Sequence, residues 1–122
     1  MPRRPPKHFH RTSVVKSGTK SQKVAQLLQE GLVLHHQGNL GGAKQVYEKI
    51  LKKQRNHFDA LQLLGTIYMQ VAQHEAALPL FDRALQINKT NAAVFNNRGN
   101  SLQKLEQFDD ALTSYDEALR IN

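Results

Sequence analysis

The residues with the greatest chemical reach are histidines, paired acids and one glycine-rich run, and each has a recognisable use in catalysis or ligand binding. His8-Phe9-His10 and His35-His36 are the closest imidazole pairs. Neither has the four-residue helical offset that aims two imidazoles at one zinc ion, and no cysteine or carboxylate joins them nearby in sequence. His35 and His36 therefore read as groove or surface residues able to tune ligand binding with pH. Asp109-Asp110 and Asp116-Glu117 supply carboxylates, but acid–base catalysis requires a cleft that separates two pKa values. The first pair opens an expected helix, where the dipole favours negative charge. The run Gly38-Asn39-Leu40-Gly41-Gly42-Ala43-Lys44 is reminiscent of a phosphate cradle, yet it lacks the GxxxxGK[ST] spacing and follows a helical stretch rather than a strand. The expectation is a chain with no catalytic residues, no metal site and no cofactor.

The elements that would position any site begin with charge. The chain has 122 residues, 39% hydrophobic, with a formal net charge of +7. Its length suits one compact unit rather than two enzyme-sized domains. Residues 1–23 contain Arg3, Arg4, Lys7, Arg11, Lys16, Lys20 and Lys23 and no acid, while residues 24–122 balance ten basic against ten acidic side chains. Pro2, Pro5 and Pro6 accompany the basic residues, so 1–23 is expected to be a mostly disordered leader. It lacks a base-reading motif and aromatic interleaving beyond Phe9, which makes nucleic acid an unexpected partner. There is no cysteine, so disulfides and thiolate chemistry are excluded. No apolar run approaches the roughly 20 residues of a membrane span, and no signal-like segment opens the chain. A cytoplasmic location without membrane attachment is expected.

The dominant feature is a repeat of 34 residues. Gly31, Gly65 and Gly99 keep that step, as do Ala43, Ala77 and Ala111, the aromatics Tyr47, Phe81 and Tyr115, and Leu51, Leu85 and Leu119. Each unit carries two apolar stripes of helical period separated by a short turn. First helices are expected at about 24–37, 58–71 and 92–105, and second helices at about 40–53, 74–87 and 108–121. Glycine inside a helix costs about 1 kcal/mol against alanine, so the recurring glycines imply a close helix approach that offsets it. Pro79 falls within a second helix, where its ring crowds the carbonyl of Glu75.

Leu61, Leu64-Gly65, Tyr68, Ala77, Phe81 and Ala84 follow the pattern of the tetratricopeptide repeat family, which the chain resembles in repeats at 24–57, 58–91 and 92–122. The resemblance implies an all-α, right-handed solenoid of three helix-turn-helix units, about six helices, with concave and convex faces. Unit one departs from the pattern at Glu30 and Ile50, and unit three at Arg98, which predicts looser packing at both ends.

In the resembled family the first helices line a concave face that binds peptides. Its register positions place Leu28, Leu32 and His35 there from unit one, beside Ala25 and Gln29. Unit two supplies Gln62, Leu63, Thr66, Met69 and Gln70, beside Asp59. Unit three supplies Asn96, Asn97, Asn100, Gln103 and Lys104, beside Ala93. Family members that grip the acidic tail of heat-shock chaperones use Lys, Asn, Asn, Lys and Arg at positions that here hold Leu28, Leu32, Leu63, Ala93 and Asn97, so that ligand is not expected. The expected function is a non-enzymatic module that binds a protein or peptide partner. Two alternatives stand beside it. Leu112, Tyr115 and Leu119 lie on a last helix with no capping helix after it, which would let the chain form a homo-oligomer and serve as a scaffold. The resemblance to bacterial members also allows a substrate-selecting arm of a longer enzyme, such as an O-linked N-acetylglucosamine-type glycosyltransferase.

Overall fold

A computed structural model describes residues 18–122. These form six helices: α1 (Lys20–His36), α2 (Leu40–Lys53), α3 (Phe58–Gln70), α4 (His74–Ile87), α5 (Ala92–Lys104) and α6 (Phe108–Ile121). The second helix of every hairpin falls where the periodicity predicts, and α3 and α5 stop one residue early. The start of α1 differs more. Residues 1–17 of the expected leader lie outside the described residues, whereas Lys20–Lys23 form the first turn of α1 rather than disordered chain. The reason is a capping box: the Gln22 amide donates to the Thr19 hydroxyl at 3.1 Å and the Thr19 amide donates to the Gln22 side chain at 2.7 Å.

Side chains cap three further helices. Asn39 accepts from the Gly42 amide at 2.9 Å, His57 Nδ1 from the Ala60 amide at 3.1 Å and Asn91 from the Val94 amide at 3.0 Å. The glycine-rich run is thus the start of α2, with its Gly42 amide committed to Asn39. Helix α4 runs unbroken through Pro79. The turn inside each hairpin carries one residue of positive φ, at Gly38 (79°), Ala72 (62°) and Glu106 (61°), again 34 residues apart.

The hairpins α1–α2, α3–α4 and α5–α6 stack so that α2 packs on α3 and α4 on α5. Helices α3 and α5 also touch, while the second helices make no comparable contact with one another. The first helices accordingly form the inner side of an α-solenoid. Two cores run through the stack. Val24, Tyr47, Ile50, Leu64 and Ile67 join the first two hairpins, and Leu61, Phe81, Ala84 and Val94 join the last two. Helix α3 feeds both. A Cβ on Gly31, Gly65 or Gly99 would lie 2.5, 2.7 and 2.7 Å from the ring of Tyr47, Phe81 and Tyr115. Each ring seats in the notch that its glycine leaves.

The predicted looseness is not found at Arg98 or Ile50. Ile50 is fully buried. Arg98 Nε donates to Asp82 at 2.7 Å and its Nη1 donates to the hydroxyl of the buried Ser114, so one guanidinium ties α4, α5 and α6 together. Charge on a long stem does here what an apolar side chain does elsewhere in the repeat.

Candidate functional site

The inner face is built from one side of α1, α3 and α5. A depression of about 370 Å³ opens between α1 and α3, lined by Leu32, His35, His36, Leu63 and Gln70. Four of these are among the residues that the register places on the concave face. Their positions follow from a helix-on-helix seam in which His35 crosses between hairpins. Its Nε2 lies 2.9 Å from Gln70 Oε1 and its Nδ1 lies 3.2 Å from the Tyr47 hydroxyl. Burial raises the Tyr47 phenol above its ordinary pKa, so the hydroxyl stays a donor. The assignment that satisfies both contacts has Tyr47 donating to Nδ1 and Nε2–H donating to Gln70. The imidazole meets the Tyr47 ring edge-on, with centroids 6.0 Å apart. This relay engages the Gln70 oxygen and leaves its amide nitrogen for other partners.

The remaining inner-face residues divide by what they already touch. Leu28 and Leu63 pack partly against the first core and Met69 against the second, while Leu32 does neither. The Thr66 hydroxyl donates to the Gln62 carbonyl at 2.9 Å, which turns it back onto its own helix. Asn100 Oδ1 accepts from the Tyr115 hydroxyl at 2.6 Å, and Gln103 Oε1 lies 3.0 Å from the same oxygen. Asn97 is half-buried; Lys104 is exposed. Asn96 lines a second depression. It shares this space of about 600 Å³ with Ala92, Ala93, Tyr115, Ala118, Leu119 and Asn122, and so joins two of the three residues marked for self-association. Leu112 and Leu119 are 59% and 73% exposed, whereas Tyr115 is half-buried against Gly99.

One group escaped the sequence reading, which assigned the basic excess to the leader. Gln45, Lys49, Lys52, Arg55 and Arg83 gather round a larger depression of about 800 Å³ on the side of the second helices. The available signal was Lys49, Lys52 and Lys53, spaced by three and four along one helix. Among the described residues no group of three or more potential ligands lies close enough to hold a metal ion, and no helix is long and apolar enough to cross a membrane.

A family model described as tetratricopeptide repeat matches residues 34–96, and a second of the same description matches residues 92–122. Protein O-mannosyl-transferase TMTC1 of Homo sapiens is 29% identical over 94 residues, which is 74% of this chain and 11% of that protein. Mitochondrial import receptor subunit TOM70 of Homo sapiens is 32% identical over 88 residues, 69% of this chain and 14% of that protein. The chain thus spans about a tenth to a seventh of these relatives. MamA from Desulfovibrio magneticus RS-1 superposes with a TM-score of 0.78 at 24% identity, over 81% of this chain and 56% of that one. The first repeat domain of Spaghetti (RPAP3), bound to the HSP90 peptide SRMEEVD, superposes with a TM-score of 0.80 at 20% identity, over 84% and 81%. At these identities the two structures speak to the fold.

Proposed function

Because the chain belongs to the tetratricopeptide repeat family, we propose that it is a non-enzymatic interaction module whose inner face holds a segment of a partner protein. The observation that carries this reading is the depression between α1 and α3, which combines Leu32 and Leu63 with the Gln70 amide. Such a site suits an apolar side chain whose own backbone reaches a side-chain amide. Asn97 extends the same chemistry toward α5. The HSP90 peptide held by the RPAP3 domain is acidic at its end. Here Leu28, Leu32, Leu63, Ala93 and Asn97 stand where chaperone-binding members carry their clamp, so the ligand is neutral or apolar. The likeness to TMTC1 is confined to 11% of that protein, and O-mannosyl transfer stays with it.

Leu32 is the cleanest probe, since it lines the depression without packing against either core. Peptides selected from a displayed library on the whole chain are titrated against the native protein, Leu32→Glu and Asn97→Ala. At least about tenfold weaker binding to Leu32→Glu, with helicity unchanged, is expected for a buried apolar anchor. Equal affinity for Leu32→Glu and native protein refutes the reading.

A second reading rests on Leu112 and Leu119, which with Phe108 are the large apolar side chains that α6 leaves exposed, and which flank Tyr115. In it, a second copy covers this face and the protein is a self-associating scaffold. Sedimentation velocity over a hundredfold concentration range tests it: a dimer that Leu119→Lys dissolves supports the scaffold, and a monomer throughout removes it.

A further inference from the structure

Two furrows on the outer side of the first hairpin meet along α2. One, of about 800 Å³, lies between α2 and α4 and is bordered by Arg55 and Arg83. The other, of about 520 Å³, lies between α1 and α2 and is bordered by Lys23 and Lys53. Lys49 and Lys52 line both. Half-buried Leu51 and Leu27 contribute apolar surface to the two furrows in turn. We propose that this double furrow is a binding site for an extended acidic polypeptide segment, separate from the inner face.

The cations are not accounted for by the fold. Among the described residues, salt bridges join Arg98 to Asp82 and Arg120 to Glu117, and none involves a furrow residue. The C-terminal dipole of α2 explains Lys52 and Lys53. It does not explain Lys23, Lys49 and Arg83, which come from three different helices. Lys49 with Lys52 and Lys53 is a like-charge cluster at spacings of three and four, an arrangement that weakens a helix. Arg83 is held in place across the hairpin boundary, where its Nη2 donates to the Arg55 carbonyl at 2.6 Å. The guanidinium is thereby fixed at the rim of the furrow and retains free N–H donors for a carboxylate.

The ligand class follows from what interrupts the charge. Glu30 and Glu48 sit among the cations, one in each furrow. A phosphodiester backbone, charged at every nucleotide, would meet both. A peptide can set a neutral or basic residue opposite each glutamate and its Asp or Glu residues opposite the lysines. Neither furrow has an aromatic ring on which a base could stack. The site shares no residue with the depression of Leu32 and Leu63.

The test uses the whole chain and a fluorescent oligo-glutamate peptide at low ionic strength, read by anisotropy. Binding is expected to weaken about tenfold or more in Lys49→Glu/Lys52→Glu and by a smaller factor in Arg83→Gln, with a shallower salt dependence in both. Lys49→Glu places a carboxylate four residues before Lys53, which favours the helix, whereas Lys52→Glu sets one four residues after Glu48 and at the negative end of the dipole, which opposes it. Lys49→Gln/Lys52→Gln, which removes charge without reversing it, provides the same comparison if the reversal disturbs the circular dichroism spectrum. Leu32→Glu leaves peptide binding unchanged, which separates this site from the inner face. Three results overturn the proposal: no binding by the native chain; binding by the double variants within about twofold of native, which assigns the peptide to residues 1–22; or tighter binding of single-stranded RNA that the same substitutions abolish.

Discussion

Replacing Gly65 with alanine sets helix propensity against packing, and the structure decides which wins. Propensity alone favours the change by about 1 kcal/mol in a helix interior. The new methyl group would arrive 2.7 Å from Phe81 Cε1, 3.0 Å from Cδ1 and 3.2 Å from Cζ. Carbon atoms rest at about 3.5 to 4.0 Å, so the ring has to retreat by roughly 0.8 Å or more. Phe81 is fully buried between α3, α4 and α5, and interiors packed at crystal density offer no such room. Overpacking of this kind costs about 1 to 3 kcal/mol. The expected net loss is about 1 kcal/mol, or roughly 4 to 8 °C in Tm. Gly99→Ala meets a similar 2.7 Å approach to Tyr115, but that ring is half-buried and can swing outward, so its net effect is close to zero. Chemical denaturation of both variants beside the native chain, followed by circular dichroism, measures the difference. The pair is informative because helix propensity contributes equally to each. A Gly65→Ala protein as stable as Gly99→Ala, or more stable than native, would refute the notch argument.

Other outcomes follow from individual contacts. Arg98→Met strands the buried Ser114 hydroxyl and should cost about 1 to 3 kcal/mol, whereas Asp82→Asn removes only an exposed pair and should cost less than about 1 kcal/mol; thermal melts in the reverse order would contradict the bridging role of Arg98. Ala72→Gly should stabilise the chain by about 0.5 to 1 kcal/mol in denaturant, because it relieves a φ of 62° that costs alanine more than glycine, and a loss of stability would show that the turn tolerates the strain. The Tyr47 phenol is raised by burial above its unfolded value of about 10, so its contribution is complete below that pH and is lost as pH climbs through the higher folded value. Tyr47→Phe should therefore flatten the alkaline limb of a pH–stability profile, and an unchanged limb would assign alkaline unfolding to other groups.

The 34-residue step made the helices legible because it registers several independent features at once: the glycine, the alanine, the ring that fills the notch and the closing leucine. Where two of those features coincide, as at Gly65 and Phe81, position and partner were both readable. The start of α1 was not, because Lys20 and Lys23 drew this stretch into the acid-free basic leader and hid the Thr19–Gln22 box. Arg98 misled for a related reason: a charge in an apolar register suggests a gap unless its partners, Asp82 and Ser114, are known to lie within reach. On the inner face the register gave candidate positions but not their prior commitments. The bond from Tyr115 to Asn100 and the depression that Asn96 shares with Tyr115 and Leu119 depend on how α5 and α6 are rotated, which no spacing encodes. The outer furrow was obscured because Lys23 and Arg83 reach it from other helices, and the one window that holds Lys49, Lys52, Lys53 and Arg55 gives no sign that they join them.

With the exception of α3 against α5, every substantial helix contact joins elements that follow one another along the chain. Little loop has to close before each contact forms, which places a fold of this kind among the fast ones. Segments nearer the N-terminus can settle against each other while later ones are still being synthesised, and no partner from the far end is required to begin. The same wiring gives the middle hairpin a double duty as both product and template: α3 completes the core begun by α1 and α2, and offers Leu61 as the first surface on which the third hairpin can order.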